Sequence, residues 1–563
     1  MEFKSVKIEN FRNFENVEVS LRNRNIFFGL NDVGKTNFLY AMRFLLDYFI
    51  RKDGFKITDF YNSNDEKDIK ITLEIDLSNK DNDDTKKIIA KAGRSLSSTN
   101  MDSLFIQVKS LKDEGLYVAK QYWGGVLTNL EEIPAVGKSD LDKIFDVYYI
   151  DPKTDLDYLF KQAISMKSVL NRKDDDPSEF QAAIKKVNEE IENLNSIHNF
   201  ENSLLDELKK YDKNTKLKLS SKDISLDPYK TIYPYLIKED GKPYYVSGDG
   251  LRKMTSYSLH RLIALKNKGK RITVFLVEEP ENHLHKTTLL KLAQVLFKED
   301  EFPYLFLTTH SQELLSEMNK INLVRIASAN KTYSHFYQVP ADYERVKKML
   351  NTNLARALFY SRVLLVEGPS EVTLFDALLT YKCNYKTKDT EILPVNGIAF
   401  KEYLNVLIPL NILTFIKTDN DIKKDGTTLG LNRLKSLLIL VAKLKKYSPE
   451  KNEEYTSITV TKIEDDQNKR LLYESNNLLI DLCKTENIYL SKQDLEEDLA
   501  EALGDELATI LEQDTKEDAV EYLKKSKLYN MVALIEKLTD ENYNTIFDNE
   551  NFKVLEVFID GIL

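Results

Sequence analysis

The eight residues Gly29-Leu30-Asn31-Asp32-Val33-Gly34-Lys35-Thr36 constrain this chain more than any other stretch. They match the pattern G-x-x-x-x-G-K-[ST], and their flanks supply the context the pattern needs. Upstream, apolar residues alternate with polar ones at Phe3, Val6 and Ile8, then Val17, Val19 and Leu21, and close on Ile26, Phe27 and Phe28. That period of two predicts strands, and the residues from about Lys35 to Phe49 predict a helix. Glycines let backbone N–H groups wrap phosphates, and a helix N-terminus favours negative charge there. A lysine in this position reaches the β and γ phosphates, and the next hydroxyl holds Mg²⁺. Gly29, Asn31, Gly34, Lys35, Thr36 and Asn37 are therefore the candidate nucleotide-binding set, with ATP as cofactor.

A strand, a phosphate loop and a helix form an α/β unit, and further core strands are expected at 271–277, 304–308 and 323–326. The first ends in Glu278-Glu279-Pro280-Glu281. One carboxylate there can bind the metal through water and the next can orient water toward the γ-phosphate, which assigns the first role to Glu278 and the second to Glu279. The second strand ends in His310-Ser311, where the histidine can sense the γ-phosphate.

A new apolar strand at 363–366 runs into Glu367-Gly368-Pro369-Ser370-Glu371, and the apolar stretch 412–416 runs into Lys417-Thr418-Asp419-Asn420-Asp421. Acidic residues at strand C-termini are well placed for divalent metal. Glu367, Glu371, Asp419 and Asp421 supply hard oxygen ligands suited to Mg²⁺ or Mn²⁺, and two such ions about 4 Å apart stabilise phosphodiester cleavage.

The domain boundary is placed near residue 350, giving an N-terminal unit over 1–350 and a C-terminal one over 351–563 whose last sixty residues read as helices. Within the first, Phe180, Ile184, Val187, Ile191 and Leu194 are spaced 4, 3, 4, 3 between charged neighbours. This seam suits helix pairing and marks a helical dimerisation insert over about 155–225. Lys plus Arg number 80 against 90 Asp plus Glu, a net charge of −10, so polyanion binding must be local. Residues 252–271 hold seven basic and no acidic residues, and residues 415–446 hold eight basic and three acidic ones. Either patch can neutralise phosphates. Two cysteines a hundred positions apart exclude a disulfide scaffold and a zinc ribbon and suit a cytoplasmic location. No run is long and apolar enough for a membrane span, so no membrane contact is expected.

The phosphate loop, the two acidic strand ends and the opening Ile8-Glu9-Asn10-Phe11-Arg12-Asn13-Phe14 resemble the ATPase heads of the ABC superfamily, in the branch of SMC and RecF proteins. In that family a Ser-Gly turn opening a helix contacts the partner's nucleotide. Ser247-Gly248-Asp249-Gly250 looks like that turn, although Asp249 and Leu251-Arg252-Lys253 depart from the usual ending, so Ser247 and Gly248 join the nucleotide set by resemblance. The order strand-Glu-Gly, then strand-Asp-x-Asp, resembles the Toprim domain, and a head followed by Toprim is the OLD-family arrangement. Across nearly the whole chain the sequence is similar to the nuclease subunits of Gabija anti-phage systems. The motifs Thr36-Asn37-Phe38-Leu39-Tyr40-Ala41, Val366-Glu367-Gly368-Pro369-Ser370-Glu371 and Tyr522-Leu523-Lys524-Lys525-Ser526-Lys527-Leu528 carry that likeness.

The resemblance implies a double-stranded DNA endonuclease beside a UvrD-like helicase subunit. It further implies an acid at Asp494, as metal ligand and catalytic residue, and a catalytic cation at Lys527. Glu497 and Asp498 rival the first, and Lys524 and Lys525 the second. Three functions follow for test: a metal-dependent endonuclease controlled by its ATPase head, with catalytic Glu367, Asp419, Asp494, Lys527 and Glu279; a non-nucleolytic SMC/RecF-like repair ATPase; and a topoisomerase or primase. Primase is disfavoured because its zinc ribbon needs more than two distant cysteines. The expected assembly is a dimer or tetramer.

Overall fold

The computed structural model describes residues 1–93, 96, 101–134, 137–152, 159, 178–209, 235–237, 243–245, 249–267, 270–298, 302–317, 321–328, 333–340, 353–396, 399–423, 427–461 and 468–560. The N-terminal unit sandwiches one helix between two six-stranded sheets. The first sheet is antiparallel, ordered Phe14–Ser20, Glu2–Phe11, Lys70–Asp76, Ser103–Asp113, Leu116–Gly124 and Glu131–Glu132. Its strands alternate buried and exposed residues, the pattern of a sheet covered on one face. The second sheet is mostly parallel, in the order Ser334–Gln338, Asn322–Ser328, Arg24–Phe28, Leu305–Thr309, Ile272–Glu278 and Phe145–Ile150. Arg24–Phe28 and Leu305–Thr309 are buried at every residue, as strands covered on both faces must be.

The helix Lys35–Leu46 follows the phosphate loop and buries Phe38, Leu39, Ala41, Met42, Phe44, Leu45 and Leu46. It is shorter than the 35–49 expected. At Asp47 the backbone turns extended, and the Asp47 side chain accepts from the Phe49 amide to start a separate short helix, Tyr48–Arg51. The apolar seam falls on the helix Ser178–Glu192 and its junction with a second helix, Asn195–Lys209. Phe180, Val187, Ile191 and Leu194 of the seam are exposed, Val187 and Leu194 by 54% and 51%, while Ile184 is half-buried.

The C-terminal unit is a four-stranded parallel sheet ordered Thr390–Pro394, Arg362–Val366, Leu413–Thr418 and Ile488–Leu490. Its central strands alternate between two cores: Val363, Leu365 and Ile416 face the helices Phe400–Leu407 and Leu429–Leu444, while Leu364, Val366 and Phe415 face Pro369–Cys383 and the C-terminal helices. The first of these cores also contains Ile26, Phe28, Phe275 and Leu305 of the N-terminal unit, so the two units are packed together. From strand Arg362–Val366 the chain first winds to one side and then crosses to the other. The order of the sheet therefore reverses between that strand and Leu413–Thr418. In doubly wound sheets, ligands bind beyond the carboxyl ends of the strands at this point.

Candidate active sites

The phosphate loop is shaped by its own backbone and by neighbours packed against it. Gly34 has φ +99°, and a Cβ there would sit 2.0 Å from the Asn13 side chain, so only glycine fits. Lys35 is buried, and its ammonium donates to the carbonyls of Leu30 at 2.8 Å and Gly29 at 3.2 Å while lying 3.5 Å from Glu279. Burial pulls its pKa down. A lysine folded back on its own loop in this way is poised to move onto phosphate oxygens. Asn31, Gly34, Lys35, Thr36, Asn37, Glu279 and His310 line one cleft of about 640 Å³.

Around it the strand ends assemble as expected. The Thr36 hydroxyl donates to Glu278, which also accepts from Tyr149. Glu279 has a strained backbone, φ +40°, of the kind that clusters at functional sites. The His310 ring, 3.6 Å from Glu279 and 3.2 Å from Glu281, together with Asn282 and Lys35 holds the Glu279 carboxyl down at about 2, and the two carboxylates raise the histidine. Glu281 accepts from the Thr309 hydroxyl and the His310 amide, at 2.7 and 2.6 Å, and so fixes the histidine's backbone. Its role escaped the sequence reading although it stands in the Glu-Glu-Pro-Glu run; Tyr149 had no local mark at all. Ser247 and Gly248 lie outside the described residues. The helix Asp249–Asn267 that follows them sends Lys253 to the carbonyls of Pro280 and Asn282, so the first basic patch loses that lysine to a structural role.

In the C-terminal unit Glu367 and Asp419 cap the two central strands at the switch point. The Asp419 amide donates to Glu367 Oε1 at 2.9 Å, and Thr418 donates to the same oxygen. Glu371 lies in the first turn of Pro369–Cys383, where Gly368 is the N-cap and Pro369 the first residue. Burial lifts the Asp419 carboxyl well above its usual range, and the charges of Glu367, Glu371 and Asp494 add to the lift. Glu371 is raised by burial and by Glu367. Asp494 caps the helix Leu495–Leu503 by accepting from the Glu497 amide at 3.0 Å, and pairs with Lys524 at 3.0 Å.

Four acids thus share one electrostatic neighbourhood, yet among the described residues no three of the expected ligands already stand in coordinating geometry. Two cations hold these carboxylates. Arg433 binds Glu367 and Thr418 and lies 3.4 Å from Asp421, while Lys524 draws on Asp494. Of the rival residues, Asp498 is spent in a buried pair with Lys417 at 2.9 Å, and Glu497 pairs with Lys524 at 3.2 Å. Lys525 is exposed in the last turn of its helix. The pairing of Lys417 and Arg433 also turns two members of the second basic patch inward.

Residues 1–123 and 150–315 match the AAA ATPase domain family, and residues 358–421 match the Toprim domain of overcoming-lysogenization-defect-like proteins. Over 587 aligned positions the chain is 39% identical to Endonuclease GajA of Bacillus cereus (strain VD045), and the alignment covers 99% of each protein. The chain belongs to the GajA endonuclease family. Solved structures resemble it in parts. The SMC head domain from Thermotoga maritima is 10% identical, covers 61% of this chain and 100% of its own, with a TM-score of 0.33. The C-terminal region of the Burkholderia pseudomallei OLD protein is 20% identical, covers 36% and 100%, with a TM-score of 0.26. Family membership rests on the sequence relative alone. As in that family, an ATPase head precedes a Toprim domain, and the two domain types imply nucleotide and divalent metal.

In this GajA-family chain a second acid, besides Glu281, was not singled out from the sequence. Glu496 is fully buried and pairs with Lys527 at 3.2 Å. A trace of it was legible: with Leu499, Ala500 and Leu503 it falls at i, i+3, i+4, i+7 of the buried helix face, and a glutamate on such a face needs a partner. Lys527 opens the helix Lys527–Ile535 and is also drawn by Asp419 and Glu371. Among the described residues no helix is long and apolar enough to cross a membrane.

Proposed function

We propose that the chain is a metal-dependent DNA endonuclease held in check by nucleotide at its ATPase head, acting in anti-phage defence. One observation carries the reading: Glu367 and Asp419 end adjacent parallel strands at the switch point, with Glu371 and Asp494 close enough to raise the Asp419 pKa. Buried and half-buried carboxylates with hard oxygen donors, in excess of their local cations, fit Mg²⁺ or Mn²⁺. Glu367, Glu371, Asp419, Asp421 and Asp494 are the residues that would hold it. Bound there, the metal supplies a water of lowered pKa and charge for the leaving oxygen.

The protein's own groups do the rest. Lys527, held at the rim by Glu496, offsets charge on the scissile phosphate or protonates the leaving oxygen. Arg433 keeps Glu367 oriented. In the head, Gly29, Asn31, Gly34, Lys35, Thr36 and Asn37 bind ATP, Glu278 supports Mg²⁺ through Thr36, Glu279 orients water and His310 faces the γ-phosphate. Ser247 and Gly248 reach the nucleotide of a second copy. The substrate is double-stranded DNA, the partner a UvrD-like helicase subunit, and the location cytoplasmic. Two chains meet along the Phe180–Leu194 seam, whose exposed side chains need a cover; light scattering that finds a monomer at micromolar concentration removes that part.

The test is supercoiled plasmid nicking. Wild type should nick with Mg²⁺ and stop with chelator. Glu367→Gln should lose at least about a hundredfold, the scale of removing a charge-stabilising group. Added ATP should suppress nicking in wild type but not in Lys35→Ala. Glu367→Gln nicking at the wild-type rate refutes the nuclease reading and leaves the SMC/RecF-like ATPase.

A further inference from the structure

Arg325 is one of the side chains that join the two units. Arg325 lies in strand Asn322–Ser328, which pairs in parallel with Arg24–Phe28, and its register partner is Phe28, the residue before the phosphate loop. It is 3% exposed, and among the described residues no carboxylate lies within ion-pair distance of it. Its guanidinium instead donates to three carbonyls of the C-terminal unit: Leu358 at 3.1 Å, Tyr360 at 3.0 Å and Leu410 at 2.9 Å.

Those carbonyls are placed tellingly. Leu358 and Tyr360 lie just before strand Arg362–Val366, which leads into Glu367. Leu410 precedes strand Leu413–Thr418, which leads into Asp419. One planar fork thus fixes the entry points of both acid-bearing strands relative to each other. A second contact runs beside it, with the rings of Phe28 and Phe359 edge to face at 5.5 Å. On the other side the link reaches the nucleotide loop, since the Ile326 carbonyl lies where a Cβ on Gly29 would be, 2.2 Å from it. A buried cation bonded to carbonyls is costly to desolvate, and burial draws its pKa down to about 10 against the opposing charge of Asp389. Such a group tolerates little displacement, because any carbonyl that moves leaves a buried donor unpaired.

We propose that Arg325, acting together with the Phe28–Phe359 contact beside it, is a positioning residue that transmits the state of the phosphate loop to the two strands bearing Glu367 and Asp419. The proposal rests on the reading that nucleotide governs the nuclease. When Gly29 shifts to admit phosphates, Ile326 shifts with it, and Arg325 carries the displacement to residues 358–360 and 410. Coupling then needs no ligand contact with the nuclease site.

Hydrogen exchange on the full chain, with and without a non-hydrolysable ATP analogue, tests it. In wild type the analogue should change exchange at 358–366 and 410–418 by about fivefold, the low end of ordinary site-to-site coupling. In Arg325→Met and Phe359→Leu, each still binding the analogue, the change should vanish, and Arg325→Lys should restore part of it. A merely structural arginine would lower stability but leave the analogue's effect in place. The proposal is overturned if wild type shows no change in those segments, or if the variants keep it. Should Arg325→Met fail to fold, Phe359→Leu and Arg325→Lys decide alone. If the exchange coupling is present and plasmid nicking ignores the analogue, the nucleotide-control reading fails while the coupling stands.

Discussion

Replacing Arg433 by glutamine probes how the nuclease site holds its charge before metal arrives. The guanidinium reaches from helix Leu429–Leu444 to Glu367 Oε1 and Thr418 Oγ1, and lies 3.4 Å from Asp421. Its side chain is 13% exposed and that of Glu367 18%, so water screens the pair poorly. A hydrogen bond to a charged group contributes about 1.5–3 kcal/mol. Glu367 keeps its bonds from Thr418 and from the Asp419 amide in the variant, which puts the loss near the lower end, about 1.5 kcal/mol. For a unit of this size that is a fall of roughly 3–6 °C in the melting temperature with chelator present. Metal changes the sign. With no guanidinium to displace, the same 1.5 kcal/mol reappears as roughly tenfold tighter Mn²⁺ binding. Calorimetric titration with Mn²⁺ and melting with and without chelator measure both quantities. A lower melting temperature with unchanged or weaker Mn²⁺ affinity would show that Arg433 is only a brace and would refute the competition between guanidinium and metal.

Lys35→Ala should abolish ATP binding in a nucleotide titration, because the ammonium that the Gly29 and Leu30 carbonyls now hold is the group released to phosphate; retention of wild-type affinity would contradict the assigned loop. The His310–Glu279 pair gives a pH dependence with a definite sign. The raised histidine stabilises fully below its ordinary 6.5 and loses that contribution as pH rises through its raised value; the lowered Glu279 stabilises above its ordinary 4.5 and loses it as pH falls toward about 2. The melting difference between wild type and Glu279→Gln should therefore be largest between these two values and shrink at alkaline pH, and a difference that grows with pH would exclude the pairing. Phe38→Ala should cost about 3–5 kcal/mol in denaturant unfolding, since its ring is wholly buried, 3.8 Å from that of Phe27 and edge-on to Phe336.

What the sequence alone determined is what short stretches of chain decide. The phosphate-loop pattern lies within eight consecutive residues, so Gly29, Gly34, Lys35 and Thr36 were readable as a nucleotide-binding unit. Unbroken apolar runs marked the two-sided strands, and the acids directly after them inherited a position at the sheet edge from strand geometry. Tertiary structure decided which charges answer which. Arg433 meets Glu367 across 66 residues, Glu496 meets Lys527 across 31, and Arg325 reaches Leu410 across 85. Nothing local distinguishes Arg433 or Arg325 from a solvated arginine on a helix or strand. Burial removes water as their competing partner, and only the packed chain says which groups have lost it.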